Sequence, residues 1–219
     1  ALFIPVCIYS DTVVFPAVMA LLSVIGVFGM LGCVGVRKHY ILAGISLVFG
    51  AMPIVPFFAG ESTLKIIAAL CVVYLIAVYA TDVFSKGKLD YTLSSSTFMG
   101  VFYIAVSFTS IVLLRGEGKY LYLLVFIGPW VSDTFAYIFG RLLGKHKLIP
   151  EVSPKKTVEG SVAGIIFAAL SYVLYAFIIS KNFDTTATPN YIVMAVSGAL
   201  VSIVSQVGDL SASAVKRHF

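Results

Sequence analysis

Residues 120–140 read YLYLLVFIGPWVSDTFAYIFG, an apolar run with a single carboxylate, Asp133, set inside it. The run is long enough to cross a bilayer, since about 20 mainly apolar residues at roughly 1.5 Å each span the hydrocarbon. A carboxylate at the centre of such a run costs roughly 3 kcal/mol unless it faces a polar interior. The stretch therefore places the chain in lipid and marks a polar position within it.

The remaining sequence agrees. Of 219 residues, 60% are hydrophobic and 11% charged, and the mean hydropathy is +1.03. A soluble domain of this size cannot hide so much apolar surface, whereas a bundle in lipid has no need to. The apolar runs do not alternate with polar residues as barrel strands do. The expected fold is all-α, a polytopic transmembrane bundle with spans near 12–36, 40–60, 66–81, 95–114, 120–140, 160–180 and 191–207. Residues 1–9 read as the tail of an eighth. No composition break or repeat divides the chain, so one membrane domain over 1–219 is expected, with polar active-site segments at 141–159 and 208–219. The apolar start without Met and the stop after a basic cluster read as a chain cut at both ends. Cys7, Cys33 and Cys71 lie in apolar runs with no C-x-x-C pair, and are expected to be buried, unreactive thiols.

The net charge of +5 is not gathered into a nucleic-acid patch. If every candidate crosses, one side collects eleven of the Lys and Arg and the other four. The positive-inside rule makes the richer side cytoplasmic. The lipid bilayer, rather than nucleic acid, is the expected macroscopic partner. The expected location is the cell (inner or plasma) membrane, with the active site facing the cytoplasm.

Three groups of residues carry chemistry. On a helix, Tyr137 at i+4 and Gly140 or Arg141 at i+7 or i+8 share the face of Asp133, which reaches the cytoplasmic surface within roughly 12 Å. Pro129, four residues earlier, is expected to kink that helix. The stretch GDLSASAVKRHF from Gly208 places Asp209, Ser213 and Lys216 or Arg217 on one face if the last helix continues. Two carboxylates on different helices near one surface need a cation between them, and Mg²⁺ takes one or two carboxylates plus phosphate oxygens. Asp133 and Asp209 are thus the metal candidates, with a second cation also considered. The third group is VSPKKTVEGS, 152–161. Lys155 and Lys156 supply cations there, Ser153 and Thr157 supply hydroxyls, and Gly160 opens a helix whose amides favour an anion. This is neither a Walker-type loop nor a Rossmann turn, so a polyphosphate cradle and a solvated basic loop both stay open on the residues alone. His39, His146 and His218 sit in basic clusters without metal-binding spacing and read as interfacial residues.

Taken together, SDTFAYIFGRLLGKHKLIPEVSPKKTVEGSVAG (132–164) and GDLSASAVKR (208–217) resemble the phosphatidate cytidylyltransferase, or CDP-diacylglycerol synthase, family. Over 1–131 the likeness is a hydrophobic pattern only. Ser213, Lys216 and Arg217 match the S-x-x-K-R that opens the family's C-terminal signature; its continuation through H-G-G to D-R-x-D does not fall within residues 1–219. The resemblance implies transfer of CMP from CTP to phosphatidic acid, giving CDP-diacylglycerol and pyrophosphate with Mg²⁺, by a homodimer in phospholipid biosynthesis. It implies catalytic roles for Asp133, Asp209, Lys155 and Lys156. Substrate contacts would come from Arg141, Lys145, Ser153, Thr157, Glu159, Gly160, Ser213, Lys216 and Arg217. Two alternatives stand beside it: a CTP-dependent polyprenol or phytol kinase, and a transporter with Asp133 as an ion relay. Clustering of the polar residues at the cytoplasmic mouth favours the enzyme.

Overall fold

The computed structural model describes residues 9–85, 91–183 and 188–218, with side chains as far as residue 214. Hydrocarbon offers the backbone no hydrogen-bond partner, so each apolar run closes its own N–H and C=O groups as a helix. Among the described residues, six helical stretches are long and apolar enough to cross a membrane. Seven were expected because the second stretch, Tyr40–Phe84, is doubled back on itself. The first eight residues of the anticipated partial span lie outside the described residues. The chain divides into two compact units, Ala1–Gly118 and Lys119–Phe219.

In the first unit, α1 (Val14–Val34) ends at Gly35, whose φ of 81° suits glycine and whose amide returns to Leu31 O. Arg37 then folds back, donating to Phe28 O at 3.0 Å with its guanidinium 4.1 Å from the Phe28 ring. The next arm consists of α2 (Tyr40–Gly50), a 3₁₀ turn at Met52–Ile54 and α3 (Val55–Ala59). The chain reverses near Gly60, at φ 53°, into α4 (Thr63–Phe84). Antiparallel pairing of the arms is fixed by Ser46 Oγ, 3.0 Å from Tyr74 Oη, and by Phe49 stacked on Tyr74 at 4.2 Å. The helix α5 (Tyr91–Glu117) completes the unit, whose core includes Val27, Leu31, Leu42, Phe49, Tyr74 and Val101. Cys33 is exposed on α1 rather than buried, because it points away from that core; Cys71 is partly buried, and both are free thiols. Cys7 lies outside the described residues.

The second unit contains α6 (Leu124–Leu142), α7 (Val158–Asn182) and α8 (Tyr191–His218). Helix α6 runs on through Pro129. Between α6 and α7 the segment expected as a loop forms an antiparallel ribbon of β1 (Lys147–Ile149) and β2 (Ser153–Thr157). Pro150 occupies the second position of its turn, closed by Val152 N donating to Ile149 O at 3.2 Å. The three helices approach closely because small residues line their crossings. A Cβ added at Gly160 would collide with the Ala136 carbonyl oxygen, and one at Gly164 would lie 2.9 Å from Ser132 O. Tyr172 Oη donates to Leu124 O at 2.8 Å, and Phe135 stacks on Phe167 at 3.8 Å.

Candidate active site

The helix and ribbon ends of the second unit enclose a cleft of about 530 Å³. Asp133, Tyr137, Gly140, Arg141 and Gly144 line it from α6 and the turn after it, the face their spacing predicts. Asp209 lines it from α8, which continues to His218. The ribbon contributes Lys147, Lys155 and Lys156. The two acidic residues and the two adjacent lysines singled out in the sequence, together with Arg141, therefore share one cavity.

The adjacent lysines are not equivalent. Alternation along β2 turns them to opposite sides. Lys155 is exposed, whereas the Lys156 side chain is 24% exposed and its Nζ is shut off from solvent, 2.6 Å from Asp209 Oδ2. The contact is an ion pair outside the directional range of a hydrogen bond. Asp133 lies within the electrostatic reach of both Lys156 and Asp209. Lys156 thus partners one carboxylate directly, while the other, midway along α6, lies near them both.

The ribbon is rooted at both ends. Thr157, extended at φ −123° and ψ 153°, caps α7 by accepting from Gly160 N at 3.2 Å. The Glu159 carboxylate accepts from His146 N at 3.2 Å and lies 2.7 Å from His146 Nδ1, while Val158 N donates to His146 O at 3.0 Å. His146 thus ties the approach to β1 to the first turn of α7. The Gly160 amide is engaged in the cap, and Gly160 itself is buried against α6.

Of the other residues expected to contact substrate, Thr157 also lines the cleft, whereas Lys145, Ser153, Glu159, Gly160 and Ser213 are not among its described lining residues. Lys145 is exposed; Ser153 pairs with Ile149 in the ribbon; Ser213 is partly buried one turn beyond Asp209. The side chains of Lys216 and Arg217 lie outside the described residues. Sequence reasoning missed Lys147, Ser161 and Gln206. Gln206 precedes Asp209 by three residues, a helical spacing that would have placed it on the same face. Lys147 becomes visible only once β1 is paired with β2.

Among the described residues no three His, Cys, Asp or Glu side chains gather as a metal cluster. The donor set still fits a hard divalent cation whose remaining ligands are phosphate and water, because two carboxylates face one cleft among phosphate-seeking cations.

A model of the cytidylyltransferase family matches residues 1–219. A phosphatidate cytidylyltransferase of Staphylococcus haemolyticus (strain JCSC1435) is 30% identical over 225 residues, covering 93% of this chain and 84% of the relative. One from Staphylococcus saprophyticus is 31% identical over 185 residues, covering 83% and 68%. One from Staphylococcus epidermidis is 34% identical over 142 residues, covering 65% and 52%. A helical membrane protein whose acidic and basic residues converge on one cleft, the chain belongs to the cytidylyltransferase family.

Proposed function

We propose that this protein transfers CMP from CTP to phosphatidic acid, giving CDP-diacylglycerol and pyrophosphate. The observation that carries the proposal is the convergence of Asp133 and Asp209, from two apolar helices, with Arg141, Lys147, Lys155 and Lys156 in one cleft. The relatives' shared name supplies the substrates.

The chemistry asks mainly for positioning of two anions and for neutralisation of charge. The phosphate of phosphatidic acid is already an anionic nucleophile, so its attack requires no general base. Its oxygen forms a bond to the α-phosphorus of CTP as the bond to the β-phosphate oxygen breaks, and pyrophosphate departs with the electron pair. Arg141, Lys147 and Lys155 hold the triphosphate and the departing pyrophosphate, as cations aimed at developing charge in a partly dry site do. Lys156 passes from Asp209 to a phosphate oxygen. Asp133 and Asp209 are the residues that would hold Mg²⁺, which supplies further neutralisation of phosphate charge when bound. The excess of Lys and Arg on the cleft's side supports a cytoplasmic orientation in the cell membrane. CTP then arrives from solution and phosphatidic acid laterally from the bilayer. On the family's pattern the enzyme acts as a homodimer.

The test incubates the intact protein in detergent with phosphatidic acid, Mg²⁺ and CTP labelled on the α- or the γ-phosphorus. The expected result is α-label in a lipid product, reduced roughly 100-fold by Asp209→Asn and at least about tenfold by Lys156→Ala. Transfer of γ-label to a polyprenol acceptor would show a kinase. No labelled lipid from any acceptor would sink the enzyme reading and leave an Asp133 relay as the next hypothesis.

A further inference from the structure

Just inside the cleft, three helices share a polar knot. Ser132 Oγ of α6 lies 2.7 Å from Ser202 Oγ of α8, and both side chains are fully buried. Gln206, 8% exposed, directs Nε2 to the Ser161 carbonyl of α7 at 3.2 Å, to Ser202 Oγ at 3.2 Å and to Ser132 Oγ at 3.5 Å. The carbonyl can only accept, which fixes the amide nitrogen on that side. Gly164 leaves room for the arrangement: a Cβ there would stand 3.0 Å from Ser132 Oγ and 3.2 Å from Gln206 Nε2.

The positions of these residues in the chain give the knot its meaning. Ser132 immediately precedes Asp133, and Gln206 precedes Asp209 by three residues. Moving α8 by one residue shifts it about 1.5 Å and rotates it about 100°. That is enough to break all three contacts and to leave the fully buried Ser132 and Ser202 hydroxyls without them. A single buried amide can set helix register in just this way.

We propose that Gln206 is a positioning residue, locking α8 against α6 and α7 in the one register that brings Asp209 to the cleft shared with Asp133. It acts through the carboxylates and takes no part in bond making. This inference rests on the proposed function only for its catalytic consequence; the register itself can be read without substrate.

The test uses protein with Cys7, Cys33 and Cys71 replaced, carrying Asp133→Cys with either Asp209→Cys or Ala212→Cys, and a short bifunctional thiol reagent. The 133–209 pair is expected to crosslink about tenfold faster than the 133–212 pair. Gln206→Leu should bring the two rates within about twofold, and Ser202→Ala, which spares two of the amide's contacts, should largely keep the preference. If Gln206→Leu does not fold, Gln206→Asn, one methylene too short to reach all three oxygens, takes its place. An unchanged preference in a folded, monodisperse Gln206 variant overturns the proposal. With native carboxylates, Gln206→Leu should lower kcat by about 100-fold with KM for CTP within twofold, the loss that a misplacement of about 1 Å can cause. A raised KM with normal kcat would overturn it as well. Absence of wild-type turnover would count against the proposed function alone, because the crosslinking ratio still decides the register.

Discussion

The two units of this protein solve the same packing problem with opposite materials. The first, Ala1–Gly118, interlocks large side chains, with Phe49 on Tyr74, Tyr74 near Phe98, and Val27, Leu31 and Val101 filled in around them. The second, Lys119–Phe219, brings backbones together over Gly160, Gly164 and Gly198 and closes the gaps with Ser132, Ser202 and Gln206. In lipid there is little hydrophobic gain from burying one apolar side chain against another, so van der Waals fit and hydrogen bonds decide helix association. Large side chains give that fit with some tolerance of sliding. Small ones with directional bonds give one register, which is what a pair of opposed carboxylates needs.

Substitutions can break or sharpen this contrast, and the largest effect is expected at the acidic pair. Asp133→Asn should reduce CDP-lipid formation roughly 100-fold with an unchanged detergent melting curve, whereas Tyr74→Phe in the first unit should leave turnover within about twofold. Equal losses in both would erase the functional half of the comparison. Next comes the small-residue packing. Gly160→Ala drives a methyl group into the Ala136 carbonyl and should cost about 2–3 kcal/mol, read as a lowered melting temperature. Gly44→Ala, on α2 with nothing within 4 Å of its added Cβ, should be neutral or gain up to about 1 kcal/mol. Tyr74→Phe removes the bond to Ser46 and should cost about 1 kcal/mol, again read by melting. The smallest effect is expected at the root of the ribbon. His146 is 78% exposed, so His146→Ala should cost no more than about 0.5 kcal/mol of stability, yet loosen the lysines enough to raise KM for CTP about threefold.

The spans were legible because a run of 20 apolar residues has few structural solutions in hydrocarbon. Even the doubled stretch could be divided at Glu61 to Lys65, where the polar residues mark the reversal. Asp133 and Asp209 were legible for the converse reason: a charge in such a run is costly, so its presence points to a site. The ribbon was not, since strands of three and five residues, the second carrying Pro154, have little local signal and owe their existence to pairing across a turn. With it went the distinction between Lys155 and Lys156, identical side by side in sequence and separated only by strand alternation. Gln206 was passed over because a neutral amide carries no comparable penalty, although its spacing from Asp209 was readable. His146 reads as an interfacial residue, and its tie to Glu159, 13 residues away, arises only because the ribbon folds back.

The Lys156–Asp209 pair gives the resting cleft the character of an ion exchanger. A site made only of carboxylates would have to be assembled against its own repulsion, and a site made only of lysines would hold any passing anion. Here the Asp209 carboxylate already has a tethered counterpart in Lys156, so whatever binds that carboxylate displaces an occupant instead of filling a void. A lone metal cation bound at Asp209 must expel the ammonium, whereas a ligand bringing both charges gives the carboxylate a new partner and the displaced ammonium another. On the proposed function, a preference for a metal-bound nucleotide over either component is the expected consequence of a lysine that is never without somewhere to go.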